Sequence, residues 1–368
     1  MFVRSLQLRN FRNYQELDLA LSPEINVLLG ANAQGKTNII EAAFYASLGH
    51  SHRTQRDADL IRWDAPAGAF RLAFTRLDAE NQIAVQLSRE TRRRILLNGQ
   101  AIRTKELIGT FHAVLFSPED LFLIKGAPAG RRRFLDGELS QASPSYYREL
   151  VRYGKIVVQR NALLKRIRER REKADMLSFW DAQLAARAEV IVTKRREAVK
   201  KLNMLAKLMQ RRMTGQAESL AVHYEVKGME EDHVTNGLAA WYNKMLKSMR
   251  EADVQRGATG VGPHHDDLVL SVNGVNLRTF GSQGQQRTGV LALKLAELDF
   301  LRSETGEYPV LLLDDVMSEL DGQRRHALLA FLRRERIQTI ITATDAAYFP
   351  KERIGTYYEV HDGRIREP

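Results

Sequence analysis

Residues 30–37 read Gly30-Ala31-Asn32-Ala33-Gln34-Gly35-Lys36-Thr37, a G-x-x-x-x-G-K-[ST] loop, and their neighbours decide how it is read. The run before the loop, Ile25-Asn26-Val27-Leu28-Leu29, is apolar enough for a buried strand. The run after it, Asn38-Ile39-Ile40-Glu41-Ala42-Ala43-Phe44, has helical spacing. Strand, Gly-rich loop and helix in this order are the context of a phosphate-binding P-loop. The glycines open a backbone path closed to residues with a Cβ, so successive N–H groups can converge on phosphate oxygens. Lys36 is expected to reach the β- and γ-phosphates and Thr37 to hold Mg²⁺, with the positive end of the helix behind them. The loop predicts a nucleoside-triphosphate site.

The chain has 368 residues, enough for two or three structural units around a large core. No run of about 18 apolar residues and no charged-then-apolar leader is read, so a membrane span or secretory signal is not expected. With no cysteine, the sequence excludes disulfides, thiolate catalysis and cysteine metal sites, and suits a reducing cytoplasm. The 56 Lys and Arg outnumber the 45 Asp and Glu, giving a net charge of +11 that suits a polyanionic partner.

The basic residues cluster in the middle third. Residues 160–173 carry seven basic and two acidic side chains, among them Arg168, Arg170 and Arg171. Residues 194–201 carry five basic and one acidic, including Arg195, Arg196 and Lys200, and Arg131 to Arg133 form a third cluster. One charge run is usually a solvated helix face, but three on one unit make it a candidate DNA-facing surface with mainly phosphate contacts.

Before residue 117 the sequence reads as short β-rich runs near 2–10, 14–21, 24–29, 69–76, 81–88 and 94–98, with a hairpin signal at Asn98-Gly99. From about 119 to 213 the apolar spacing becomes helical. A reversal near Glu172-Lys173-Ala174-Asp175 predicts an antiparallel helical arm. After a β-like run at 220–226 and a helix over 236–253, strands and helices return from Asp267. The expected organisation is an α/β nucleotide-binding lobe over 1–118, a helical arm over 119–260 and a second half of the lobe over 261–368.

That second half carries matching chemistry. Val310-Leu311-Leu312-Leu313-Asp314-Asp315 is an apolar strand ending in two carboxylates. Beside a P-loop, Asp314 is placed to bind Mg²⁺ and Asp315 to orient or deprotonate the attacking water. Upstream, Gly281-Ser282-Gln283-Gly284-Gln285-Gln286 opens a helix with Ser282 as N-cap, a second anion site.

Lys36, Ser282-Gln283-Gly284-Gln285, Asp314-Asp315 and Ser318-Glu319-Leu320-Asp321 together resemble an ATP-binding-cassette head of the SMC type, as Walker A, signature, Walker B and D-loop. The runs Leu8-Arg9-Asn10-Phe11-Arg12-Asn13-Tyr14, Gly49-His50-Ser51-His52-Arg53-Thr54 and Gly262-Pro263-His264-His265-Asp266-Asp267-Leu268 are similar to the RecF family of bacterial recombination mediators.

The resemblance implies an ATP-dependent homodimer. Ser282, Gly284 and Gln285 of one chain would face the γ-phosphate held by Lys36 of the other, and Asp321 would lie in the D-loop. It also implies Arg53 as a cationic contact in cis, and Arg12 and Asn13 at the ribose or base. It implies a weak, DNA-stimulated ATPase switch without chemistry on DNA, working with RecO and RecR to load RecA on gapped DNA. Three features depart from the general cassette pattern. Asp315 stands where many such ATPases have Glu, Ser117-Pro118-Glu119 replaces a Q-loop Gln, and Ala343-Thr344-Asp345 replaces a switch His. The missing Gln and His, with a basic insert, argue against the alternative of a transporter's cytosolic ATPase. A nuclease would need a separate acidic cluster, and an SMC-like clamp that never hydrolyses ATP would not need Asp314-Asp315. The run His264-His265-Asp266-Asp267 reads as a structural turn, because four adjacent residues seldom converge on one ion.

Overall fold

The computed structural model describes residues 1–229 and 237–366. The chain divides into two compact units, one of Met1–Leu121, Arg212–Gln216 and Val290–Pro368, the other of Phe122–Arg211 and Ala217–Gly289.

The first unit holds two sheets. In chain order its strands are β1 (Phe2–Phe11), β2 (Tyr14–Ala20), β3 (Ile25–Leu29), β4 (Ala67–Arg76), β5 (Ala79–Ser88), β6 (Arg94–Leu97), β7 (Gln100–Ile102) and β8 (Ala113–Phe116). An antiparallel sheet runs β2-β1-β4-β5-β6-β7. Its alternating inward residues, including Leu6, Leu72 and Ile83 in cross-strand register, bury one face. The Asn98-Gly99 hairpin forms as expected, with both residues at positive φ between β6 and β7.

The second sheet joins both ends of the chain. Two strands of the second unit, β9 (Leu220–Glu225) and β10 (Asp267–Val272), are followed by β11 (Val275–Asn276), and the first unit then resumes with β12 (Val310–Asp314), β13 (Thr339–Ala343), β14 (Thr356–His361) and β15 (Arg364–Arg366). The order is β15-β14-β3-β13-β12-β8, parallel throughout except for the β14–β15 pair. Every residue of β12 and β13 is buried, the continuous apolar pattern of a sheet covered on both faces. The P-loop helix Lys36–Leu48 shares one core with both sheets. Its Ile39, Ile40, Ala42, Ala43 and Ala46 are buried, and Tyr45 packs edge-on against Phe70.

The second unit is mainly helical. Helices Pro144–Arg168 and Leu177–Met213, of 25 and 37 residues, are joined at the expected reversal. Their contacts descend in one as they ascend in the other, Arg160 to Asp181 and Glu149 to Arg187, so the pair is antiparallel. Buried Tyr153, Ile156, Arg160, Leu163 and Leu164 recur by threes and fours along one face. Two boundaries differ from the sequence reading. Residues 261–289 group with the helical unit, because β10 pairs with β9 from Leu220 to Glu225. The helix expected over 236–253 is observed as Leu238–Ser248 and Arg250–Arg256, and position 236 lies outside the described residues.

Candidate nucleotide site

Register builds this site. β3 pairs in parallel with β13, and β13 with β12, so the P-loop leaves one strand end beside the carboxylate-bearing end of another. Thr342 on β13 stands opposite Leu28 on one side and Asp314 on the other. The loop backbone requires its glycines. Gly35 lies at φ 111°, and a Cβ there would come within 2.6 Å of the Asn13 side chain. A Cβ on Gly30 would run into the Val360 carbonyl. Asn32, Ala33 and Gln34 are exposed along the loop or partly so, and Ala33 also adopts positive φ.

Lys36 is buried, and its Nζ donates to the carbonyl oxygens of Gly30 at 2.5 Å and Ala31 at 2.7 Å. Burial lowers its pKa, an effect opposed by the charges of Asp315 and Asp314. The Thr37 hydroxyl donates to Asp314 Oδ1 at 2.9 Å, and the Thr342 hydroxyl donates to the same oxygen at 2.7 Å. Thr342 Oγ1 also accepts the backbone N–H of Asp315 at 2.9 Å. Asp315 sits at φ 53°, a left-handed conformation uncommon outside glycine, with one carboxylate oxygen buried and unpartnered. Burial raises its pKa, partly offset by Lys36. A carboxylate held short of full pairing, beside a cation and a hydroxyl hub, suits a base that accepts a proton from water. The hydroxyl of Thr37 and the carboxylate of Asp314 form a pair of hard oxygen donors, the ligand type that Mg²⁺ takes.

Sequence reasoning missed two residues here. Glu41 is fully buried on the P-loop helix and accepts Arg12 Nε at 2.8 Å and Arg12 Nη2 at 2.7 Å. It also accepts Arg53 Nη1 at 3.3 Å and the Ser51 hydroxyl. Burial alone would raise its pKa, but the Arg12 and Ser51 hydrogen bonds bring it below the ordinary value. A lone carboxylate in an apolar helix had to find cations, and that rule could have pointed to Glu41. Arg12 is thus largely committed to Glu41 and to the Asp59 carbonyl, while Arg53 also reaches Asn38 Oδ1 at 2.9 Å. Asn13 donates to the P-loop carbonyl of Gln34 at 3.1 Å. The other missed residue, Thr342, gave no sequence signal because its role depends on strand order.

In the second unit the signature helix Gln283–Thr305 begins with a reciprocal cap. The Gln285 N–H donates to Ser282 Oγ at 3.2 Å, and the Ser282 N–H donates to Gln285 Oε1 at 3.0 Å. Ser282, Gln283 and Gly284 are exposed. In the first unit Asp321 caps helix Gly322–Glu335, accepting the Arg324 N–H at 2.8 Å. After β8, where Ser117-Pro118-Glu119 stands in place of a Q-loop Gln, the Ser117 N–H donates to the Asp120 carboxylate at 2.8 Å.

The basic clusters separate. Arg168, Arg170, Arg171 and Lys200 are exposed, while Arg196 is half-buried and donates to Met229 Sδ. Arg195 corrects the expectation of a DNA contact, because its side chain is 2% exposed. It makes a bidentate pair with Asp136 and donates to the Tyr146 and Tyr224 hydroxyls and the Pro263 carbonyl. Its helical position faces the inside of the unit, which charge counting along the sequence cannot register. The run from His264 to Asp267 is likewise structural. The Tyr153 hydroxyl and His264 Nδ1 are 2.5 Å apart, His265 Nε2 donates to the Thr259 carbonyl, Asp266 accepts from Tyr224, and Asp267 pairs with Arg131.

Residues 2–363 match the RecF/RecN/SMC N terminal domain. The DNA replication and repair protein RecF of Alkaliphilus oremlandii (strain OhILAs) is 44% identical over 350 residues, covering 94% of this chain and 93% of that protein. The RecF of Clostridium botulinum (strain ATCC 19397 / Type A) is 39% identical over 370 residues and covers both chains fully. A structure described as the recombination mediator protein RecF-ATPrS in the RecFOR pathway superposes with a TM-score of 0.91 at 33% identity, covering 100% of this chain and 98% of that one. The Smc head domain from Pyrococcus furiosus matches at TM-score 0.58 and 16% identity, a likeness of fold alone. With a P-loop, two terminal carboxylates and a capped signature helix inside a match of this extent, the chain belongs to the RecF family of DNA replication and repair proteins.

Proposed function

We propose that this chain is an ATP-gated DNA-binding switch in recombinational repair and replication-fork maintenance. The carrying observation is the meeting of Lys36, Thr37, Asp314 and Asp315 at adjacent strand ends, with the Thr342 hydroxyl linking the Asp314 carboxylate to the Asp315 backbone N–H. In this reading Lys36 and the P-loop N–H groups bind the ATP phosphates, and Thr37 and Asp314 would hold Mg²⁺, which when bound would supply positive charge to the phosphoryl oxygens. Asp315 takes the proton of the attacking water. Its side chain is one methylene shorter than Glu, which suits slow turnover, stimulated by DNA, and no chemistry falls on the DNA itself.

The exposed Ser282 and Gly284, with Gln285, complete the γ-phosphate site of a second copy, so ATP joins two chains. The dimer holds duplex or gapped DNA mainly by phosphate contacts from Arg168, Arg170, Arg171 and Lys200. It acts in the cytoplasm with RecO and RecR to load RecA where single-strand-binding protein blocks access. The RecFOR-pathway description of similar structures supports this placement.

The test is anisotropy of a labelled gapped duplex titrated with the chain, with and without Mg-ATP. ATP should tighten binding for the unmodified chain and leave Lys36→Met unaffected. Asp315→Asn should hold DNA after the unmodified chain has released it. Equal ATP responses in the unmodified chain and Lys36→Met would defeat the reading.

A further inference from the structure

A cavity of about 450 Å³ opens beside the P-loop, lined by Arg12, Asn13, Asn38, Arg53, Ile61 and Trp63 among others. That volume lies within the range of small-ligand sites. It adjoins the phosphate loop directly. Asn13 donates to the Gln34 carbonyl, and the Asn38 amide donates to Asn13 Oδ1 at 2.8 Å, one residue beyond Thr37.

Trp63 is 84% exposed, the highest figure among the large hydrophobic side chains described. Its loop is nevertheless held firmly. The Arg12 N–H donates to the Leu60 carbonyl at 2.7 Å, and the Arg62 N–H donates to the Asn10 carbonyl at 2.9 Å. Arg89 donates to the carbonyls of Ile61, Arg62 and Ala65. A rigid loop that leaves an indole in water at the rim of a cavity is an aromatic platform with no ring partner among the described residues. Buried Ile61 adds an apolar wall, and Asn13 and Asn38 supply polar edges.

We propose that Trp63 stacks on the base of the nucleotide whose phosphates the P-loop holds, making it the residue that distinguishes a nucleotide from a bare triphosphate. This rests on the nucleotide reading above. An indole face binds any planar base, and truncating such a platform to Ala weakens binding by about tenfold.

The test compares Mg-ATP with Mg-tripolyphosphate, using the full chain, Trp63→Ala and Trp63→Phe. Trp63→Ala should bind ATP about tenfold more weakly and tripolyphosphate unchanged, and Trp63→Phe should keep most of the ATP affinity. ATP, but not tripolyphosphate, should also change the intrinsic fluorescence of the unmodified chain, and Trp63→Phe should lose that change. Trp63→Ala with full ATP affinity, or with both probes weakened equally, overturns the proposal. If the unmodified chain binds neither probe, the nucleotide reading itself is overturned and this proposal with it, an outcome visible before any Trp63 variant is compared.

Discussion

Thr37 and Asp314, at opposite ends of the sequence, meet at 2.9 Å, the threonine hydroxyl donating to Oδ1 of the carboxylate. The two P-loop half-sites come together only because β12 and β3 both pair with β13. The same pairing brings Thr342 to Asp314, so a residue of no apparent distinction becomes the hub of the site.

Thr342→Val should therefore uncouple binding from turnover. It removes the hydroxyl that Asp314 accepts from and that receives the Asp315 N–H, leaving the latter donor without its partner. ATP affinity should change by less than about threefold while the hydrolysis rate falls by about tenfold or more, a cost of about 1.4 kcal/mol in the barrier. Thr342→Ser should recover most of the rate. Steady-state hydrolysis with nucleotide titrations checks both, and equal rates for Val and Thr would remove Thr342 from the mechanism.

Arg195→Ala should act on stability, not on DNA. It leaves Asp136 and two tyrosine hydroxyls without their guanidinium partner inside the second unit. Breaking a buried pair from one side costs about 3–5 kcal/mol. Denaturant unfolding should show that loss, and an unchanged midpoint would mean the cluster does not hold the unit together.

DNA affinity should instead follow the exposed arginines near the arm reversal. A contact neutralising about six phosphates gives a log–log salt slope of roughly −5 on duplex DNA. Replacing Arg168, Arg170 and Arg171 by Ala should weaken binding on all sequences and flatten the slope, with ATP binding unchanged. An unaltered slope moves the DNA contact away from these helices.

Acid should weaken the turn around His264. Burial, helped by the charge of His265, lowers the His264 pKa to about 4 from an ordinary 6.5. The unfolded chain therefore takes up a proton on falling through pH 6.5, and the folded chain does not until about pH 4. Stability from this group is complete above pH 6.5 and declines by about 3 kcal/mol at pH 4. Asp266, raised by burial, acts in the opposite sense, so the reading is the difference between chains. Denaturant midpoints from pH 7.5 to 4 should fall less steeply for His264→Gln, and parallel curves would contradict the assignment.

Much of the candidate nucleotide site was legible because its motifs are local. The P-loop glycines, Lys36 and Thr37 lie in eight consecutive residues, and Asp314-Asp315 ends one apolar strand. Legibility failed where a role depends on register or on helix rotation. Thr342 matters only once β13 lies between β3 and β12, and Arg195 turns inward on a helix whose neighbours Lys194 and Lys200 are exposed. The boundary at 260 failed similarly, since β10 looks like the return of the nucleotide sheet until it pairs with β9.

The central claim is that ATP joins two chains through the Ser282 end of the signature helix, and sedimentation equilibrium tests it most directly. The unmodified chain should be monomeric without nucleotide and dimeric with saturating Mg-ATP. Ser282→Arg should bind ATP with unchanged affinity yet remain monomeric. An unmodified chain that stays monomeric when saturated with ATP, or a Ser282→Arg chain that dimerises as readily, would contradict the account.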